Sequence, residues 1–181
     1  MFIIVSGCSG VGKNTVIREL LKRNPKLQMY KTCTTRGRRD TELVSSDYIH
    51  LTREEFENKI KNNELFEHEE IHGNLYGTLN SSVELMKDKK NIIIKDIGVE
   101  GQKSFVSKLP KDVQVISIFL DAPKDELINR LIGRGEPNIE KRIQRYEYEN
   151  SFKENFDYVI NNVDLLSTVE QIEKIIETHL K

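Results

Sequence analysis

Phe2-Ile3-Ile4-Val5 runs directly into Ser6-Gly7-Cys8-Ser9-Gly10-Val11-Gly12-Lys13-Asn14-Thr15, and the amphipathic stretch Val16-Ile17-Arg18-Glu19-Leu20-Leu21 follows. A short apolar run ended by glycine reads as a buried strand, and the mixed stretch after it as a helix. A strand, a glycine-rich turn and a helix start, in that order, make a phosphate-binding loop. The first N–H groups of a helix have no partner within it and carry a positive partial charge, so anions settle there. Gly7, Gly10 and Gly12 keep Cβ atoms out of the path of inward-turned N–H groups. Lys13 adds a point charge that reaches the β- and γ-phosphates of a nucleotide. The stretch therefore predicts a nucleoside triphosphate site, with Gly7, Cys8, Ser9, Gly10, Val11, Gly12, Lys13, Asn14 and Thr15 around the phosphates.

The remaining composition narrows the class. A length of 181 residues suits one compact domain with small inserted lobes. Lys+Arg 28 against Asp+Glu 29 leaves a formal charge of −1, which gives no support for a nucleic-acid binder. A charged fraction of 31% beside a hydrophobic fraction of 37% fits a soluble globular chain rather than a disordered one. No apolar run is long enough to span a bilayer, and residues 2–5 are too short for a signal-peptide core. The expectation is a cytoplasmic protein without a membrane partner. Cys8 and Cys33 are too few for a disulfide framework. A monomer and a homodimer both remain open.

Residues 2–6, 27–32, 91–96, 113–120 and 158–161 read as five strands. Most are continuous apolar or β-branched runs, which suits parallel strands covered on both faces. Helical patterns separate them at residues 13–23, 100–108 and 124–132. A last helix is expected to open on the capping box Ser167-Thr168-Val169-Glu170, with Val169, Ile172, Ile176 and Leu180 on one face. This alternation predicts an α/β fold around a central parallel five-stranded sheet. The polar stretch from Cys33 to about Val83 breaks the alternation and reads as an inserted lobe. It holds short strand-like pieces at 48–51 and 65–70, and a helix opened by the capping box Thr52-Arg53-Glu54-Glu55. A second, short insertion near residues 133–140 lies between arginine-rich helices and reads as a lid.

Lys31, Arg36, Arg38 and Arg39 crowd together just after a predicted strand, with Tyr48 and Tyr76 flanking the lobe. Such a cluster is most often a solvated face. Beside a phosphate loop it also suits a clamp on a second phosphate, since arginines on a loop grip phosphate bidentately. A kinase acting on a phosphorylated acceptor needs that clamp to hold acceptor and donor in line.

At this level the chain resembles the guanylate kinase family. Thr34-Thr35-Arg36-Gly37-Arg38-Arg39-Asp40-Thr41-Glu42 followed by Asp47-Tyr48 is similar to the signature T-T-R-x-x-R-x-x-E-x-x-G-x-D-Y. Phe66-Glu67 and Gly73-Asn74-Leu75-Tyr76-Gly77-Thr78 resemble the acceptor-lobe motifs, and Asp96-Ile97 with Gly101 resembles D-[IV]-D-x-Q-G. Arg130-Leu131, Arg134-Gly135, Arg142 and Glu149 resemble the lid, and Tyr158-Val159-Ile160 with Asn162 the strand that closes the adenine pocket. Asn14, where Ser or Thr is usual, with Thr15 next, is a variant seen among nucleoside monophosphate kinases.

The resemblance implies a three-layer P-loop kinase fold in one domain over residues 1–181. Its core would be 1–32, 84–125 and 146–181, its GMP-binding lobe 33–83 and its short lid about 126–145. It implies transfer of the γ-phosphoryl group of Mg-ATP to GMP or dGMP. Lys13, Arg134 and Arg142 would be catalytic, and Arg130 and Asn162 would join the phosphate loop in binding ATP. Thr32, Arg36, Arg39, Tyr48, Glu67, Tyr76, Thr78 and Asp96 would bind GMP, and Asp96 would hold Mg²⁺ directly or through water.

The chain departs from the pattern at several places: Cys8 stands where proline is common, Ser45 replaces a glycine of the acceptor signature, and the lid is about three residues shorter than typical. Gly98 stands where the family has a second acidic residue that helps read the base, Lys95 where an apolar residue is usual, and Glu100 in place of the glutamine. Gly98 keeps open a kinase of shifted base specificity. A catalytically silent binding module is the remaining alternative, disfavoured by the intact loop and lid arginines.

Overall fold

The apolar segments hydrogen-bond into one parallel sheet of five strands, ordered β2-β7-β1-β8-β9. The protein is described from a computed structural model, which covers residues 1–38, 48–71, 73–84 and 91–180. β1 (Phe2–Gly7) lies at the centre and is buried along its whole length. It pairs with β7 (Ile92–Asp96), Phe2 opposite Ile93, and with β8 (Val115–Asp121), Phe2 opposite Val115. β2 (Leu27–Gln28) and β9 (Tyr158–Asn161) complete the two edges. Parallel pairing puts all the strand ends that follow Gly7, Asp96 and Asp121 at one rim, the usual ligand side of such sheets.

α1 (Lys13–Arg23) starts straight after the loop and packs on β1, β2, β7 and α8 (Leu165–His179). Val16, Ile17 and Leu20 supply its buried face, and Val169, Ile172 and Ile176 that of α8. The start of α8 differs from expectation. Asp164 caps it, accepting from the Ser167 amide at 2.7 Å, so the helix begins before the expected capping box. Asp164 has the extended backbone a cap needs, and its short carboxylate does the work of the serine.

The expected strand 27–32 is split. Leu27 and Gln28 stay in the parallel sheet, whereas Thr32 starts β3 (Thr32–Thr34) in a second sheet. Tyr30, buried between them, stacks on Phe2 with ring centroids 6.3 Å apart and turns the chain out of the first sheet. The second sheet has the order β4-β3-β6-β5, with β4 (Tyr48–His50), β5 (Leu65–Ile71) and β6 (Asn74–Leu79). β3 runs parallel to β4 and antiparallel to β6. One face of this sheet covers α2 (Arg53–Lys61) through Cys33, Phe56 and Leu75. The capping box of α2 forms as expected, Thr52 and Glu55 each accepting from the other's amide. A short helix α3 (Asn80–Glu84) follows β6, and α4 (Gly101–Lys108) follows β7.

The stretch expected to be the lid, about 126–145, holds most of α5 (Lys124–Gly133) and all of α6 (Ile139–Gln144), and α7 (Tyr146–Asn150) follows it. A single 3₁₀ turn, Lys153–Asn155, leads back to β9. Among the described residues no helix is long and apolar enough to cross a membrane. Arg39 and the rest of the acceptor signature through Asp47 lie outside the described residues.

Candidate active site

The loop between β1 and α1 lies at the mouth of a cleft of about 320 Å³ between the two sheets. Gly7, Gly10 and Gly12 all have positive φ. Gly12 shows why: at φ 99° it stands at the cap position of α1 with no side-chain cap, so the first helix amides stay open. Lys13 Nζ lies back across the loop, donating to Gly7 O at 2.6 Å and Cys8 O at 3.3 Å. Burial lowers its pKa, against the pull of Glu149 and Asp96. An anion in the loop would favour the charged ammonium.

Gly7, Ser9, Gly10, Gly12, Lys13, Asn14 and Thr15 line the cleft. Four residues expected at the ATP site do not. Cys8 is buried behind the loop, its thiol pushed up to about 12 by burial and then by the Glu149 charge. Val11 is also buried and turns its carbonyl away from the cleft. Asn162 Nδ2 donates to that carbonyl at 2.6 Å and Arg130 Nη1 at 3.1 Å. Arg130 is itself fixed by Glu126 at 2.9 Å and by Asn162 O at 3.0 Å. Arg130 and Asn162 thus brace the loop from the rear.

Arg134 and Arg142, expected in a lid, reach the front of the loop. Arg142 Nη1 donates to Ser9 Oγ at 2.7 Å, and its Nε lies 3.0 Å from Glu136 Oε1. Arg134 Nη2 meets the other oxygen of Glu136 at 2.8 Å. The Glu136 side chain is only 4% exposed, so one buried carboxylate holds both guanidiniums. Burial favours the neutral acid, but the charges and hydrogen bonds of Arg142 and Arg134 prevail and lower its pKa. Beside this pair Arg145 binds Glu100 at 2.7 Å and approaches Glu149 at 3.6 Å, while Glu149 accepts from the Ser9 amide at 3.1 Å.

The opposite wall is the second sheet. Its strands alternate, so the face away from α2 presents Thr32, Tyr48, Tyr76, Thr78 and Glu67 to the cleft. Glu67 pairs in register with Thr78 and accepts hydrogen bonds from its side chain and backbone. Burial nevertheless raises the Glu67 carboxyl above its ordinary value. Arg36 stacks its guanidinium 5.4 Å above the Tyr48 ring, and Tyr76 meets that ring edge-on at 6.3 Å.

The two walls join at Asp96, at the end of β7. Tyr48 donates to Asp96 Oδ2 at 2.8 Å, and Asn14 hydrogen-bonds the same tyrosine hydroxyl. Lys95, only 1% exposed, contacts Asp96 Oδ1 at 2.9 Å. Burial acts to raise the Asp96 carboxyl, but the charge and hydrogen bond of Lys95, then the Tyr48 hydroxyl and Lys13, outweigh it and hold it low.

Sequence reasoning omitted several cleft residues from its site: Arg18, Glu69, Glu100, Arg145 and Glu149. For Glu69 a signal existed. It stands two residues from Glu67 on a strand and so shares its face. Among the described residues no cluster of three or more His, Cys, Asp or Glu side chains forms a metal cage.

A parallel sheet with a glycine-rich loop at its rim, facing a second sheet across a cleft lined by acidic and basic side chains, defines a P-loop kinase fold. A family model for guanylate kinase matches residues 1–179. The chain is 39% identical over 180 residues to a guanylate kinase of Prochlorococcus marinus subsp. pastoris, spanning 97% of this chain and 96% of that one. It is 38% identical over 181 residues to a guanylate kinase of Mycoplasmoides gallisepticum, spanning 97% and 91%. The crystal structure of guanylate kinase from Anaplasma phagocytophilum matches with a TM-score of 0.80 and 29% identity, over 99% of this chain and 85% of that one. The chain belongs to the guanylate kinase family, a family of phosphotransferases.

Proposed function

We propose that the chain transfers the γ-phosphoryl group of ATP to GMP or dGMP, giving ADP and GDP or dGDP. One observation carries this reading. The phosphate loop and an acid-lined nucleotide pocket open into the same cleft, with Asp96, Tyr48 and Asn14 at the seam. The amides of the loop and Lys13 hold the donor phosphates, and Arg130 and Asn162 act on ATP through the loop they brace. Arg36, Tyr48 and Tyr76, with Arg39, hold the acceptor phosphate. Glu67, with Thr32 and Thr78, reads the base. Guanine offers N1–H and a 2-amino group side by side, and a carboxylate accepts from both. Adenine offers no such pair of adjacent donors and leaves the carboxylate with its Thr78 bonds alone, which disfavours the wrong base.

An acceptor phosphate oxygen attacks the γ-phosphorus in line. The bond from γ-phosphorus to the bridging oxygen breaks, and its electron pair leaves with ADP. Arg134 and Arg142, fixed by Glu136, supply positive charge to the transferring group. Mg²⁺ keeps most of its waters and takes only one or two protein oxygens beside the phosphates. The Asp96 carboxylate and Thr15 hydroxyl at the cleft fit that sparse requirement. Bound with ATP, the ion would neutralise phosphate charge. Both cysteines are free and buried, which suits a reducing, cytoplasmic setting.

The test is ADP formation from Mg-ATP with GMP, dGMP, AMP, CMP and UMP in parallel. Turnover confined to GMP and dGMP, and lost in Lys13→Ala, is expected. Equal turnover across bases would replace this reading with a relaxed kinase, and ATP binding without any turnover would replace it with a binding module.

A further inference from the structure

We propose that Glu69 is a second base-reading carboxylate of this site, delivered from β5 into the space that a side chain at position 98 would fill. The inference rests on guanine being the base that the pocket reads.

Strand alternation supplies the first argument. Glu67 and Glu69 lie opposite Thr78 and Tyr76 of β6, so both side chains project from the cleft face, about 7 Å apart along the strand. Both line the cleft.

The packing against the turn after β7 supplies the second. A Cβ at Gly98 would collide with Glu69 Oε1 and stand 3.1 Å from Cδ and Oε2. A Cβ at Gly101 would stand 3.0 Å from Oε2. Neither glycine has positive φ, so neither is required by the turn itself. Their missing side chains make a seat for the Glu69 carboxylate, which also accepts a hydrogen bond from the Gly98 backbone. An acid at position 98 and Glu69 in its present place exclude each other. The chain therefore keeps an acidic group at this point of the pocket while holding glycine at 98.

Base chemistry supplies the third. The Watson–Crick edge of guanine carries three N–H bonds, one at N1 and two on the 2-amino nitrogen. One carboxylate takes two of them, and a second acceptor at the far side of the amino group takes the last.

The surroundings of Glu69 agree with such a role. Glu67 on its own strand and Glu100 ahead of α4 face it with like charge, and Arg145, between α6 and α7, faces it with opposite charge. Burial first, then those two carboxylates, push its carboxyl up to about 7. A buried acid in a cleft, held near neutrality, gains its charge most readily when donors arrive.

The test compares GMP with inosine 5′-monophosphate, which lacks the 2-amino group, in wild type, Glu69→Gln, Glu69→Ala and Glu69→Ala/Gly98→Asp. Wild type should favour GMP, and Glu69→Ala should reduce that preference about 10- to 100-fold, the range of a hydrogen bond to a charged group. The loss should fall on the KM for GMP and not on that for ATP. Glu69→Gln, nearly the same in volume, should show the same direction of change and serves if Glu69→Ala does not fold. Adding Gly98→Asp to Glu69→Ala should restore the preference, because the vacated space admits the aspartate. Undiminished preference in both single variants, or an equal rise in the KM for ATP, would overturn the role of Glu69 alone. Absence of wild-type turnover with GMP would overturn the guanylate reading together with this one.

Discussion

Replacing Lys95 by Met tests how the seam of the cleft is held. Lys95 sits on a central strand with its side chain 1% exposed. Its ammonium has the Asp96 carboxylate at 2.9 Å and the faces of Tyr48 and Tyr30 at 5.2 and 5.7 Å. Met has nearly the same length and volume, so little cavity forms and the effect is electrostatic. Removing one partner of a buried pair costs about 3–5 kcal/mol, because the other charge is left unpaired. Asp96 keeps the Tyr48 hydroxyl and the nearby charge of Lys13, which places the loss near the lower end, about 3 kcal/mol. For a chain of this size that lowers the thermal midpoint by about 6–12 °C.

Calorimetry of the ligand-free protein at neutral pH reads the change directly. The pair also has a pH signature. The Asp96 carboxyl is held below its ordinary value, so its contribution is present above that value and lost as pH falls through the folded one. The gap between wild type and Lys95→Met should therefore narrow in acid. Lys95→Met/Asp96→Asn removes both charges and should be more stable than Lys95→Met alone. A single variant as stable as wild type, or a double variant less stable than the single, would refute the reasoning.

Three further outcomes follow from the same geometry. Glu136→Ala frees Arg134 and Arg142 from their shared carboxylate, and kcat should fall by up to about 100-fold, the scale of a 1 Å misplacement; unchanged turnover would show that the arginines position themselves. Gly12→Ala meets φ 99° and a Cβ 2.9 Å from Asn162 Nδ2, so it should destabilise by about 1–3 kcal/mol and raise the KM for ATP, both read against wild type by thermal melting and initial rates. Glu69→Gln should melt higher than wild type at pH 8 and no higher near pH 4. The folded carboxyl holds its proton up to about 7 whereas the unfolded one releases it earlier, so wild-type stability declines as pH rises across that window. Equal midpoints at pH 8 would mean that Glu69 is not strained by its seat.

The parallel sheet was legible because strands buried on both faces are written as unbroken apolar runs, as in Ile92-Ile93-Ile94. The loop was legible because its glycines, Lys13 and the following helix lie together in sequence. The second sheet was harder. β5 reads Leu65-Phe66-Glu67-His68-Glu69-Glu70-Ile71, and two of its acids, Glu67 and Glu69, face a cleft while Glu70 faces water, so polarity there does not report exposure. β6 carries Gly77 where a Cβ would press on Phe56, and a glycine inside a strand weakens the pattern that announces it. The split of residues 27–32 depended on Tyr30 reaching Phe2, a contact no local pattern contains. The placement of Arg130 and Asn162 behind the loop likewise depends on three elements meeting at Val11 O.

Asn14, Lys95, Gly98 and Glu69 all lie where the five-stranded sheet, with its glycine-rich loop, meets the four-stranded sheet. Each is tied to a neighbour across that seam or along it: Asn14 to Tyr48, Tyr48 to Asp96, Asp96 to Lys95, Gly98 to Glu69. Neighbours that share partners do not contribute independently, so a change at one of these positions alters what the others can do. Lys95 alone would be a costly buried charge, yet beside Asp96 it keeps a carboxylate ionised at the point where the two sheets meet. Gly98 alone would be a missing acid, yet beneath Glu69 it is the seat that lets another strand supply one. The same positions read singly look like erosion of a nucleotide site. Read as contacts, they are one rearranged junction that still presents carboxylates to the cleft and a cation beneath them.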